Sequence, residues 1–102
     1  MRMMLKVVFD TEAANRAIKD GSLMKLIQNV QARLKPEACY YTAQCGKRAM
    51  MLFFDCRENS SSFIVEVAEP LFFGLNAGIS LEPVMNDADL QRGFEAWQKS
   101  AG

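Results

Sequence analysis

Ala38-Cys39-Tyr40-Tyr41-Thr42-Ala43-Gln44, the link Cys45-Gly46-Lys47, and Arg48-Ala49-Met50-Met51-Leu52-Phe53-Phe54-Asp55-Cys56 together decide the fold. Two runs rich in aromatic, β-branched and other apolar residues flank a link of turn character, which reads as two strands. So short a link makes them an antiparallel hairpin. Side chains alternate along a strand, so Met50, Leu52 and Phe54 point one way while Ala49, Met51 and Phe53 point the other. Both sets are apolar. Such a strand needs cover on two sides, and leaving one side in water costs about 25 cal/mol per Å² of apolar surface.

Upstream, Met3 to Phe9 is short, apolar and β-branched at its centre, a first strand. Thr11 is placed to cap a short helix through Ala13, Ala14, Ala17 and Ile18, which Asp20-Gly21 stops. Ser22 can cap a second helix, in which Leu23, Leu26, Ile27, Val30 and Leu34 form one apolar stripe and Pro36 ends the run. Downstream, Arg57-Glu58-Asn59 and three serines mark a loop. Ile64, Val67, Ala68 and Leu71 then keep helical spacing, and Pro70 predicts a kink or a second short helix over 71–75. Ile79 to Met85 reads as a fourth strand, with Pro83 favouring an edge position. Asn86 and Asp89 resemble a capping pair for a last helix carrying Leu90, Phe94 and Trp97 on one face.

The expected fold class is therefore α+β, in the order β-α-β-β-α-β plus a C-terminal helix. That order is the ferredoxin-like signature: a four-stranded antiparallel sheet with both crossovers on one face. The other face stays open. A second copy packed sheet to sheet is the simplest cover, so a homodimer is expected. The competing arrangement folds the C-terminal helix over the open face of its own sheet.

The 102 residues suit a single domain, and a domain this small has a marginal core unless something extends it. Twelve basic and twelve acidic residues balance to zero net charge. Nucleic-acid binding, which shows as a basic excess, is thus not expected, and neither is a membrane-holding polybasic segment. The third strand also lacks the Lys/Arg-Gly-aromatic pattern of RNA-recognition modules, its run being Lys47-Arg48-Ala49-Met50-Met51. No apolar run approaches the roughly 20 residues of a membrane span. Met1-Arg2-Met3-Met4-Leu5 opens like a signal peptide, but Lys6 and Asp10 interrupt it. Cys39, Cys45 and Cys56 are an odd count without CxxC spacing, which fits reduced, buried thiols in the cytoplasm.

With no histidine, Ser-His-Asp and Cys-His catalysis is absent and the commonest zinc ligand is missing, so no metal and no cofactor is expected. No Gly-rich phosphate loop occurs. The candidate ligand-binding residues are Lys6, Tyr40, Thr42, Arg48 and Glu82, polar side chains within the expected strands. Converging, they would line a cleft in which Lys6 or Arg48 holds an anionic group and Glu82 serves as a general base. The plainer alternative is that they are solvated strand ends, since residue parity does not carry between strands without the register.

Thr11-Glu12-Ala13-Ala14-Asn15-Arg16-Ala17-Ile18-Lys19-Asp20-Gly21-Ser22, Leu34-Lys35-Pro36-Glu37-Ala38 and Ala68-Glu69-Pro70-Leu71-Phe72-Phe73-Gly74-Leu75-Asn76, with Pro83-Val84-Met85, resemble a family of small uncharacterised bacterial proteins. Phe54-Asp55, Pro70-Leu71-Phe72 and the last strand are similar, more distantly, to the muconolactone isomerase-like branch of the dimeric α+β barrel superfamily. This resemblance implies a dimer whose two sheets close into a barrel, each with a pocket. The histidine-dependent chemistry of that superfamily has no counterpart in a chain without histidine. The function expected is binding, isomerisation or oxidation of a small organic molecule, the alternative being a non-catalytic protein-interaction module.

Overall fold

A computed structural model of the chain describes residues 1–101. Its elements are β1 (Arg2–Val8), α1 (Thr11–Asp20), α2 (Ser22–Leu34), β2 (Ala38–Gln44), β3 (Lys47–Asp55), α3 (Phe63–Leu75), β4 (Gly78–Pro83) and α4 (Asp87–Ala101). The fold is α+β, with a four-stranded antiparallel sheet in the order β2-β3-β1-β4. The element order is β-α-α-β-β-α-β-α, which departs from the ferredoxin-like string β-α-β-β-α-β because the first crossover holds the two separate helices expected from Thr11 and from Ser22. Gly21, at φ 80°, separates α1 from α2, because a left-handed residue stops the first helix and redirects the chain into the second.

The hairpin β2–β3 is tighter than its sequence suggested. Its link is two residues, Cys45 at φ 53° and Gly46 at φ 76°, and Lys47 already belongs to the ladder opposite Gln44. Two consecutive positive φ values match the right-handed twist of the strands they join. Cys45 is consequently exposed at the hairpin tip, where a buried thiol was expected, while Cys39 and Cys56 are half-buried.

Helix ends also differ in detail. Asp10, rather than Thr11, caps α1, its carboxylate accepting from the Ala13 N–H at 3.0 Å. Gly21 occupies the cap position of α2, and Ser22 instead donates its backbone N–H to Asp20. Pro70 lies inside a continuous α3, so of the two expected outcomes, a kink or a second short helix over 71–75, the second does not occur. A proline there withholds one hydrogen bond from the turn before it. The burial of Val67, Ala68, Leu71 and Leu75 against the sheet offsets that loss.

One face of the sheet carries the core. Met3, Leu5 and Val7 of β1 lie beside Phe54, Leu52 and Met50 of β3, and all six are buried. Ala14 and Ala17 of α1, Leu23, Ile27, Val30 and Leu34 of α2, and Phe63, Val67 and Leu71 of α3 close over them. Gln31 of α2 ties this layer to β2, donating to the Tyr41 hydroxyl at 3.3 Å. β4 is an edge strand, as Pro83 suggested.

α4 takes no part in this core. None of its residues is buried, and its contacts with the rest of the described residues are sparse. The radius of gyration is 16.2 Å over extents of 58 × 29 × 18 Å, against about 13 Å for a compact chain of this length. The excess comes from a helix that leaves the body.

Candidate functional site

The strand registers sort every residue to a face. On the face away from α1, α2 and α3, three rows cross the sheet from β2 to β4. They are Ala38–Phe53–Met4–Glu82, Tyr40–Met51–Lys6–Ser80 and Thr42–Ala49–Val8–Gly78. The centre of this open face is an apolar strip of Met4, Val8, Ala49, Met51 and Phe53, and Lys6 is the one charge set among them. Polar groups flank the strip on the two edge strands, with Tyr40 and Thr42 on one side and Ser80 and Glu82 on the other.

Four of the five residues singled out from sequence thus share one face: Lys6, Tyr40, Thr42 and Glu82. Arg48 does not. It pairs with Ala43 on the helix side of the sheet and is exposed near the hairpin tip. The separations are wide for a single reacting centre. Lys6 and Tyr40 stand two strands apart, about 10 Å between backbones, and Glu82 is one strand and one row from Lys6, about 8 Å away. A ligand spanning these groups would lie flat across the apolar strip, its acidic part near Lys6. Neither Lys6 nor Glu82 belongs to an ion pair among the described residues.

Three concavities lie elsewhere. One of about 260 Å³ sits at the end of β3 among Arg33, Asp55, Cys56, Glu58 and Phe63. Arg33 in its lining pairs with Glu58 at 2.7 Å and with Glu66 at 3.4 Å, contacts that hold the guanidinium above its ordinary value. A second, of about 340 Å³, runs between α2 and α3 past Leu26, Val30 and Pro70. The third, about 400 Å³ and wide open, follows one side of α4 between Met85, Leu90, Gly93, Phe94 and Trp97. None of the three is lined by Lys6, Tyr40, Thr42, Arg48 or Glu82.

The α4 surface carries the apolar side that the sequence placed on Leu90, Phe94 and Trp97, and the structure leaves it without cover. Leu90, Phe94 and Trp97 are 43%, 52% and 62% exposed, an unburied apolar stripe at helical spacing, and Met85 just before the helix is 66% exposed. Its spacing was visible in the sequence, but only the structure separates it from the core. The root of α4 is nonetheless well held. The Asn86 N–H donates to the Asp89 carboxylate at 3.1 Å while the Asp89 N–H donates to Asn86 Oδ1 at 2.8 Å, the reciprocal pair the sequence suggested. Arg2 then bridges Asp89 at 2.5 Å and Glu37 at 2.7 Å, and Val84 N–H donates to the Arg2 carbonyl. The Asn86 N–H first, and then Arg2, lower the Asp89 carboxyl below its ordinary value of 3.8.

Among the described residues no group of three or more His, Cys, Asp or Glu side chains could hold a metal ion, and no helix is long and apolar enough to cross a membrane. Comparisons with family models, curated proteins and solved structures return no match to this chain.

Proposed function

We propose that the chain is a cytoplasmic homodimer that binds a small organic molecule bearing an acidic group on the open face of its sheet. One observation carries this reading: the registers bring Lys6, Tyr40, Thr42 and Glu82 to a single uncovered face around an apolar strip. An isolated ammonium amid apolar side chains suits a carboxylate or enolate whose body lies on Met51 and Phe53. Tyr40 and Thr42 offer hydroxyl donors to its far end, and Glu82 is the acceptor within reach of a proton on the ligand. Isomerisation of that molecule, Glu82 taking a proton from one carbon and returning it to another, is the chemistry this arrangement would serve.

The ferredoxin-like architecture and the kinship with bacterial dimeric α+β barrels belong to the same proposal. The strand order β2-β3-β1-β4 and a helix-covered face opposite an open one support them. Three free cysteines with no disulfide support the reducing compartment. A second reading, a protein-interaction module without catalysis, draws its support from the exposed stripe of α4.

Native mass spectrometry of the purified full-length chain tests the first reading directly. The expected result is a dimer carrying additional small-molecule mass, lost in Lys6→Ala and kept in Arg48→Ala, whose side chain is on the opposite face. Equal retention by both variants would remove the open face from the binding site. A dimer that never retains mass would leave the interaction module as the better account.

A further inference from the structure

We infer that α4 is a self-pairing arm: the α4 helices of two copies pack antiparallel on their Leu90–Phe94–Trp97 stripes, with their backbones crossing at Gly93.

The stripe has a notch in it. Leu90, Gly93, Phe94 and Trp97 are spaced i, i+3, i+4 and i+7, so all four fall on one side of the helix. Gly93 is the small residue among three large exposed ones, and it lines the open concavity of about 400 Å³ that follows this side of α4.

Nothing within the chain accounts for that glycine. Glycine is the poorest helix residue after proline, and a Cβ built on Gly93 meets no atom within 4 Å. Gly74 of α3 is the contrast, because a Cβ there would stand 3.2 Å from Leu26 Cδ1 of α2. Gly74 answers to a neighbour in its own chain. A bare stretch of backbone on an exposed helix answers to a close approach from outside.

The stripe complements itself. In an antiparallel pair with its two-fold axis near Gly93, Leu90 of one helix comes level with Trp97 of the other. The two notches face each other at the crossing and leave room for the two Phe94 rings. Asp87 and Asp89 of one helix come level with Ser100 and Gln98 of the other, so no carboxylate meets a carboxylate. Arg92, Glu95 and Lys99 are exposed on the far side, where they stay in water. A parallel pair would instead bring Asp87 beside Asp87 and Asp89 beside Asp89, with both helix dipoles aligned. Antiparallel packing opposes the dipoles. It also gives cover to a helix of fifteen residues, a length at which isolated helices of about 12–15 residues are marginal in water.

The pairing leaves the sheet alone. It uses no residue of the open face, so the ligand and the sheet-to-sheet closure proposed above keep their surface. Helices about 22 Å long and about 10 Å wide cover roughly 220 Å² of each other in plan, well below the about 1,200–2,000 Å² of a stable interface. The contact is therefore weak and depends on concentration. At the dilution of native mass spectrometry the sheet-paired dimer stands alone. In concentrated solution α4 joins such dimers, and the assembly closes at four copies when the two kinds of two-fold axis meet at right angles.

The test uses the full-length chain, half isotope-labelled and half unlabelled, mixed at millimolar concentration and examined for nuclear Overhauser contacts that cross between copies. The expected result is contact between the Trp97 ring of one copy and the Leu90 methyl groups of another, growing with concentration. Gly93→Leu fills the notch and is expected to raise the midpoint of this association in sedimentation by about tenfold. The variant has room in the protomer, and leucine is the better helix former. An unpaired exposed helix would respond in the opposite sense, because added apolar surface makes chains adhere. Unchanged or tighter association of Gly93→Leu would therefore overturn the pairing. So would Trp97 contacts that cross to Trp97 in place of Leu90, contacts only to Met4 or Met51 of the sheet, or no crossing contact to Trp97 at all. Each of those results leaves the ligand mass on the dimer, and its loss in Lys6→Ala, as a separate reading of the open face.

Discussion

The two faces of this sheet use nearly the same amino acids and end in different circumstances. In β1, Met3, Leu5 and Val7 are buried under helices, while Met4, Lys6 and Val8, one residue along in each case, are only half-buried. β3 repeats the pattern, with Met50, Leu52 and Phe54 inside and Met51 and Phe53 half out. Met50 and Met51 are chemically identical neighbours. What differs is the layer above each, so burial here is decided by tertiary partners rather than by residue type. The first face holds the protomer together, and the second is left for something else.

Substitutions can sharpen that contrast. Leu52→Ala on the covered face opens a cavity in a fully buried position and is expected to cost about 2–5 kcal/mol in urea denaturation. Met51→Ala, its neighbour on the open face, is expected to cost under about 1.5 kcal/mol at low protein concentration. Equal losses for the two would erase the distinction between the faces.

Asp10→Ala removes the α1 cap and is expected to cost about 1 kcal/mol, since the covered face depends on α1 staying seated. A loss below the error of the measurement would mean that Ala14 and Ala17 hold α1 without its cap. The smallest effect concerns the α4 root and pH. Asp89 has its carboxyl lowered from 3.8 by the Asn86 N–H and Arg2. A depressed carboxyl contributes stability that is complete above the ordinary value and fades as pH falls through the lowered one. Backbone amide shifts of Asn86 and Asp89 should therefore hold steady near neutrality and move only as pH falls into the acid range, below the ordinary carboxylate value. Asp89→Asn should abolish that movement. A transition near neutrality would contradict the anchoring.

Much of the sheet was legible because its signals are local. The 38–56 hairpin, the β1 run and the edge role of Pro83 each follow from a few adjacent residues. Shifts of one residue, such as Asp10 capping in place of Thr11, arise because both side chains can cap and only backbone geometry chooses between them. The path of α3 through Pro70 was not legible, since tertiary burial of Val67 and Leu71 overrides the local preference for a break.

Grouping the candidate site required the registers. Parity alone could not separate Arg48 from Lys6, Tyr40, Thr42 and Glu82, all at even positions, and the pairing Ala43–Arg48 does so. α4 was the opposite case. Its stripe of Leu90, Phe94 and Trp97 was plain, but periodicity reports only that a helix has an apolar side, not which molecule lies against it.

The strand order bears finally on the sequence of events in folding. β1 is the first strand to be synthesised and sits between the partners made much later: Val8 pairs with Ala49 on one side and Gly78 on the other. Only β2 and β3 can pair locally, across the Cys45–Gly46 turn. Closing a long loop carries a greater entropic cost than closing a short one, and pairings distant in sequence slow the search. The hairpin is thus the natural nucleus. Met3, Leu5 and Val7 lack their sheet partners until β3 has been made, and β4 is the last strand to join the sheet.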